Sequence, residues 1–350
     1  STPPGVVTRQ AADTDVTLTA FLSYGMSTGT VNIKVKVKAK PVPVKESDYK
    51  GYLFAYFSGA NRPDAEQIYF AASEDGLFWT ELNKNNPVLV SNVGDKGVRD
   101  PFIIRSPEGD KFYMVATDLR IANGAGWTAA QRSGSKCVVV WESNDLVNWS
   151  KERLVKVARD DAGCTWAPEI VYDDITGEYV LFWASRVAQD NYAKQRIYMA
   201  KTRDFYTFTE PVLWIEKSHD VIDTTVIKHN GMYYRFSKNE SNKTIFIEKA
   251  SQFLSNNYQQ VFSQSVGSLS GVEGPAVFKF NGENKWCLLL DDYGGSGYFP
   301  MVTHDISTGE FTKLSPSQYS LPSAPRHGTV IQITQSEYDA VMEKWAGRQK

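Results

Sequence analysis

Arg326-His327-Gly328-Thr329-Val330-Ile331-Gln332-Ile333 lies near the C-terminus with no partner strand after it. A charged, ring-bearing pair leads into an apolar run of strand length. Four earlier segments share that layout: Arg99-Asp100-Pro101-Phe102-Ile103-Ile104, Trp166-Ala167-Pro168-Glu169-Ile170-Val171, Ile222-Asp223-Thr224-Thr225-Val226-Ile227 and Glu273-Gly274-Pro275-Ala276-Val277-Phe278. Each of these four is followed by a second strand, at residues 111–116, 179–183, 233–236 and 286–290, and then by a third. The first blade lacks such a leading strand, because Gly51 opens directly onto a middle-type strand at residues 52–57. The economical solution lets the orphan C-terminal strand complete that N-terminal blade. The fold expected is therefore all-β, a five-bladed β-propeller whose radial closure removes exposed sheet edges.

A second marker counts the same repeats. A Ser or Thr is followed two residues later by Asp and then by an aromatic: Ser73/Asp75/Trp79, Ser143/Asp145/Trp149, Thr202/Asp204/Phe208 and Thr303/Asp305/Phe311, with a degenerate copy at residues 250–252. Hydroxyl–Asp pairs of this kind staple turns, so the marker reads as structural.

Outside the repeats, residues 13–40 alternate apolar and polar around Gly25–Gly29 and read as a β-hairpin, the remnant of an Ig-like module. Pro41, Pro43 and the charged stretch 45–50 form a linker. The division expected is 1–45 for the N-terminal segment and linker, and 46–350 for the propeller. Thr334-Gln335-Ser336-Glu337 reads as a capping box, with Tyr338, Val341, Met342 and Trp345 making an apolar helix stripe.

Composition narrows the partners. The net charge of −2 carries no long basic run, which speaks against nucleic acid. No apolar stretch reaches the roughly 18 residues of a membrane span. Cys137, Cys164 and Cys287 are odd in number and lack metal-ligand spacing, so they make no disulfide framework; Cys137 and Cys287 sit in apolar strand patterns and read as core residues. The chain begins at Ser1 without Met or leader pattern, as an excised piece would. A monomer is expected.

Ring closure brings Asp100, Asp223, Glu273 and His327 to one axis. Aligned on Pro101, Pro168, Thr224, Pro275 and Gly328, the residues Asp100, Ala167, Asp223, Gly274 and His327 occupy one position, and Arg99, Trp166, Ile222, Glu273 and Arg326 the one before it. A lone Asp there would be a turn residue. Three carboxylates in register, near a crowded axis, demand a joint explanation. Glycosidic cleavage needs one carboxylic acid and one carboxylate on opposite sides of the scissile bond, and a third carboxylate helps keep the acid's proton in place. Further candidates stand at the ends of middle strands: Asp118, Arg186, Asn239, Glu240, Asp291 and Asp292. Trp127, in the long loop 121–135, is placed to stack on a sugar or to anchor the loop. Glu169 is expected to point away from the funnel.

The ordered set Arg-Asp-Pro, Trp-Ala-Pro, Ile-Asp, Glu-Gly-Pro and Arg-His-Gly resembles glycoside hydrolase family 43 over residues 51–335. That family comprises inverting five-bladed propeller enzymes, mostly α-L-arabinofuranosidases, β-xylosidases, arabinanases and some exo-galactanases. The resemblance implies Asp100 as general base, Asp223 as pKa modulator and Glu273 as general acid. Trp166 would wall the sugar subsite, Arg326 and His327 would line the funnel floor, and Asp118, Asp292 and Trp127 would add substrate contacts. No cofactor is required, although His327 would be the place for a water-mediated structural calcium. The resemblance further implies a secreted or surface-attached protein acting on arabinan, arabinoxylan or arabinogalactan. One departure is the half-blade, residues 51–90, that precedes the base; it matches the subgroups with exo-acting arabinofuranosidases. The expected activity is release of terminal α-L-arabinofuranosyl units, with β-xylosidase, exo-β-1,3-galactosidase and endo-arabinanase as alternatives. A catalytically inactive sugar-binding propeller is the alternative of another class; it would have no need of all three acids. The fructoside-cleaving propellers share the Arg-Asp-Pro motif but require an N-terminal Trp-Met-Asn-Asp type motif, which this sequence lacks.

Overall fold

The computed structural model describes residues 7–124 and 126–347. Five four-stranded antiparallel sheets form the blades. From axis outward, the first blade runs Pro325–Thr334, Tyr49–Ser58, Tyr69–Ser73, Thr80–Glu81. The second is Val98–Arg105, Phe112–Asp118, Cys137–Ser143, Arg153–Lys156, and the third Trp166–Asp173, Glu178–Ser185, Arg196–Thr202, Val212–Ile215. The fourth is Val221–His229, Met232–Asn239, Thr244–Ala250, Gln259–Val261, and the fifth Val272–Lys279, Trp286–Asp292, Gly297–Thr303, Thr312–Lys313. Each inner strand packs on its neighbours in that order, and the fifth returns to the first. The C-terminal strand therefore closes the ring on the N-terminal blade.

Middle strands are covered on both faces, which is why they read as near-continuous apolar runs. Residues 52–57 are all buried and interleave with Phe278, Phe280 and Tyr298 of the fifth blade. On the other side, Leu53, Ala55 and Phe70 share a core with Met114 and Trp141 of the second blade and with the C-terminal helix. That helix, Gln335–Ala346, carries the capping box between Thr334 and Glu337 and buries Tyr338, Val341 and Met342. Its Glu337 also receives Arg105 Nη1 at 2.6 Å.

The Ser/Thr–Asp markers are turn staples. Asp75 Oδ1 accepts from the Leu77 and Phe78 amides at 2.8 Å, and Asp145 and Asp204 repeat the pattern at residues 147–148 and 206–207.

Every inner strand carries a β-bulge at its start. Arg99 pairs with Thr117 but Phe102 with Val115, so two bonds of the partner oppose three of the strand. The same slip separates Trp166 from Glu169, Ile222 from Thr225, Glu273 from Ala276 and Pro325 from Gly328. In the first four, the residue after the slip begins is left-handed: Asp100 (φ 51°), Ala167 (φ 46°), Asp223 (φ 48°) and Gly274 (φ 54°). Such backbone is costly for non-glycine residues and clusters where function holds it. The fifth bulge corrects the sequence alignment. Its first unpaired residue is Arg326, and His327 is the second, so His327 stands one step further along its strand than Asp100 or Asp223.

Residues 7–44 and 106–110 form a separate compact unit. It contains the antiparallel hairpin Thr14–Tyr24 with Ser27–Val37, turning at Gly25. Arg9 ties its base together through Asp110 Oδ2 at 2.6 Å and the Ala39 carbonyl at 2.6 Å.

Candidate active site

The bulges re-aim side chains into a pocket of about 500 Å³ at the axis, lined by Asp100, Asp223 and Glu273 with Arg99, Trp166, Arg326 and His327. That size suits a small ligand. Its walls differ in chemistry. Phe57, Leu119, Trp127, Trp166 and Ile222 supply an apolar side, and Lys238, Glu240, Lys243, Asp291 and Tyr293 join the charged side.

Asp100 is held in a lattice of fixed donors. Thr117 Oγ1 donates to its Oδ2 at 2.9 Å and itself accepts from the Ala167 amide at 2.8 Å, linking two blades. His327 Nδ1 stands 3.3 Å from Asp100 Oδ1. Burial alone would raise this carboxyl, but His327, Arg99 and Thr117 outweigh it and hold it below the usual range. Asp223 has the opposite balance. Burial dominates and, with Glu273 and Asp100 nearby, pushes it up to about 6 despite His327 and Lys238. The Gly274 amide donates to Asp223 Oδ2 at 3.1 Å. Glu273 is gripped by two cations: Lys238 Nζ reaches Oε2 at 2.7 Å and Arg326 Nη2 reaches Oε1 at 2.9 Å. Arg326 is anchored from behind by Asp291, which is fully buried and pushed up to about 6 by burial against the pull of Arg326.

The apolar side is pinned through Glu66. Its carboxylate receives Arg99 Nη1 at 2.8 Å and the amides of Ile121 and Ala122 at 3.1 and 3.0 Å, fixing the start of the long loop. The Arg99 guanidinium lies over Phe57 (4.4 Å) and over Trp127 (5.3 Å). Trp127, on the short helix Gly126–Arg132, meets Trp166 edge-on at 5.9 Å and stays 49% exposed at the pocket wall.

Several sequence expectations change. Glu169 does not turn away: it is 4% exposed, bonded to Thr225 and close enough to His327 and Asp223 to feel both charges. Burial pushes it up to about 8. The bulge is the reason, since it places Glu169, three residues after Trp166, where a regular strand would place the second. Asp118 and Asp292 do not line the pocket. Asp118 is buried and accepts the Asp95 amide at 2.8 Å, while Asp292 closes its own turn by accepting from Ser296 N at 2.9 Å. Arg186 pairs with Asp220 at 3.0 Å and Asn239 caps the 241–242 turn, so neither belongs to the site. Lys238 was not singled out in sequence. It is a lysine inside the buried run Met232–Asn239, only 2% exposed, and that burial is a fact of the fold rather than of the sequence.

His327 also bears on the calcium expectation. Its burial disfavours charge, but Asp100, Asp223 and Glu169 prevail and push it up to about 9. An imidazolium is not a cation ligand. Among the described residues no three His, Cys, Asp or Glu side chains are grouped to hold a metal ion. No step below uses a calcium.

These charges set a stability profile. His327, Glu169, Asp223 and Asp291 all have folded values above their unfolded ones. Each binds its proton more tightly when folded, so each contributes stability below its unfolded value that is lost as pH rises through the folded one. The window runs from about pH 4 for the carboxyls to about 9 for His327. Asp100 acts oppositely, but only as pH falls below about 4. Calorimetry should show the melting temperature falling between pH 5 and 9. A flat or rising profile would contradict this charge assignment.

An axial pocket with three carboxylates on a five-bladed propeller is an arrangement suited to glycoside chemistry, and comparison with known proteins agrees. Residues 47–339 match the glycoside hydrolase family 43-related family, described as "Probable glycosyl hydrolase domain". The chain belongs to this family 43 group of glycoside hydrolases. A curated relative, an α-L-arabinofuranosidase of Bifidobacterium longum subsp. longum, is 34% identical over 334 residues, covering 82% of this chain and 31% of the relative. The chain thus spans about a third of that relative's length. Among solved structures, an exo-β-1,3-galactanase of Phanerochaete chrysosporium with β-1,3-galactotriose superposes with a TM-score of 0.52 at 13% identity, covering 89% of this chain and 63% of that one. At such identity it attests the fold alone.

Proposed function

We propose that this chain is an inverting, exo-acting glycosidase that releases terminal α-L-arabinofuranosyl units from plant polysaccharide side chains. The observation that carries the reading is the convergence of Asp100, Asp223 and Glu273 on one pocket in three different electrostatic settings. Asp100, kept anionic by its donors, takes a proton from water as that water attacks the anomeric carbon. Glu273 gives a proton to the departing oxygen on the other face of the sugar. Asp223, hydrogen-bonded to the amide next to Glu273, biases that acid as a neighbouring charge. The aromatic side of the pocket suits the apolar faces of a sugar ring. The arabinose assignment rests on the likeness to the Bifidobacterium longum relative. The proposal includes extracellular action, as a monomer, on arabinan, arabinoxylan or arabinogalactan.

The test is release of nitrophenol from α-L-arabinofuranoside, β-D-xyloside and β-D-galactoside by wild type and Asp100→Asn, with the first anomer formed read by proton NMR. The expected result is release from the arabinoside, with the β-anomer appearing first. Asp100→Asn should lower the rate by roughly 10²–10⁴-fold. Preference for another glycoside would overturn the sugar, and an α-anomer first would overturn inversion. Silence on all three and on the polysaccharides would overturn the glycosidase reading.

A further inference from the structure

The pocket holds a buried cation that the three-carboxylate scheme does not use. Lys238 comes from the middle strand of the fourth blade, next to Asn239 at the strand's end, and pairs with Ile222, the residue before Asp223. Its ammonium is bound at 2.7 Å to Glu273 Oε2 and at 2.6 Å to Glu240 Oε2. Glu240 is held in turn by Lys243. The remaining groups that face Lys238 are Asp223, across the pocket's inner wall, and the Tyr293 ring at 4.9 Å. On the far side of Glu273, Arg326 completes the row. Charges thus alternate along one wall: Lys243, Glu240, Lys238, Glu273, Arg326, Asp291.

We propose that Lys238 is a positioning residue for the reaction, its ammonium clamping the Glu273 carboxyl in place and neutralising the field between Glu273 and Asp223, with Glu240 as the anchor that keeps it there. This rests on the functional reading above. A surface ion pair would contribute little. Lys238 is different, because it is almost wholly buried and each of its carboxylate partners faces the same pocket. The position of this ammonium therefore decides where Glu273 Oε2 points and bears on how readily Asp223 keeps its charge. Arg326 cannot substitute, since it holds the other oxygen of Glu273 and is tethered to Asp291.

The sign of the effect on Asp223 is fixed. Lys238 is among the charges that pull Asp223 down from where burial would put it. Its removal should therefore raise Asp223, and activity that needs an anionic Asp223 should fail at a higher pH. The decisive measurement does not depend on turnover. Carbon-13 carboxyl shifts of Asp223 would be followed by titration in wild type, Lys238→Met and Lys238→Arg, with Asp223→Asn to assign the signal. We expect the Asp223 midpoint to rise by about one pH unit or more in Lys238→Met, the usual worth of a nearby opposite charge, and to stay near wild type in Lys238→Arg. On the substrate found by the nitrophenyl screen, Lys238→Met should lower kcat at least tenfold with little change in KM, and move the acid limb of the rate profile upward. Glu240→Gln, which loosens the anchor without removing the cation, should give a smaller loss of kcat. An unmoved Asp223 midpoint in a folded Lys238→Met protein overturns the proposal, as does a loss confined to KM. If no glycoside is turned over, the functional reading fails, while the titration still decides whether Lys238 sets the state of Asp223.

Discussion

Glu273→Ala will lower turnover of polysaccharide by roughly 10²–10⁴-fold, the usual worth of a general acid, and will spare aryl substrates far more. The difference follows from the leaving group. A sugar alkoxide departs only when protonated, whereas nitrophenolate departs without help. The same substitution has a structural cost, because it strips Lys238 and Arg326 of a shared partner. Lys238 keeps Glu240 and Arg326 keeps Asp291, but a buried cation that loses one of its two carboxylates is still destabilised. Glu273→Gln keeps the shape and separates the two effects: it should melt closer to wild type than Glu273→Ala yet remain as slow on polysaccharide. Steady-state rates on arabinan and on the nitrophenyl arabinoside, taken with melting curves, check this. Equal losses on the two substrates would remove Glu273 from the acid's role.

The fold was legible because the propeller repeats its signals. Five strand starts and four turn staples occur at comparable spacing, and the missing inner strand of the first blade matched the surplus strand at the C-terminus. The three candidate acids were legible for the same reason, as each sits where its strand begins. What sequence hid was parity. Side chains alternate along a regular strand, so Glu169, three residues after Trp166, belongs on the opposite face. The bulge at Ala167 and Pro168 inserts one residue and returns Glu169 to the axis. The same slip, shifted relative to the Arg-His-Gly spelling, put His327 one step away from its aligned position. At the outer ends of the middle strands the ambiguity was finer still. Asp291 and Asp292 are adjacent, and only pairing geometry decides that Asp291 anchors Arg326 while Asp292 closes a turn. Lys238 lies just beyond the apolar run 233–236, and nothing in the spelling marks that both faces of the strand Met232–Asn239 are covered.

Gly328→Ala should be the most destabilising of the small substitutions in the ring, costing about 3 kcal/mol. Its side-chain position faces the backbone of the first blade's middle strand. A Cβ there would collide with the Ala55 carbonyl oxygen and stand 2.8 Å from Tyr56 Cα. Neither is the movable end of a side chain, so relief requires the closing strand Pro325–Thr334 to part from Tyr49–Ser58 just where its bulge ends. Those two strands are the last and the first of the propeller, so the strain falls on the seam that closes the ring. Gly294→Ala is the control, because nothing lies within 4 Å of the added methyl. Calorimetry should show a fall of about 5 °C for Gly328→Ala and little change for Gly294→Ala. Hydrogen exchange should locate the loss in residues 49–58 and 325–334 before the other blades. The pocket would feel it too, since His327 and Arg326 immediately precede the glycine. A Gly328→Ala protein that melts with wild type, and protects both closing strands equally well, would mean the seam tolerates a shift that this packing does not allow.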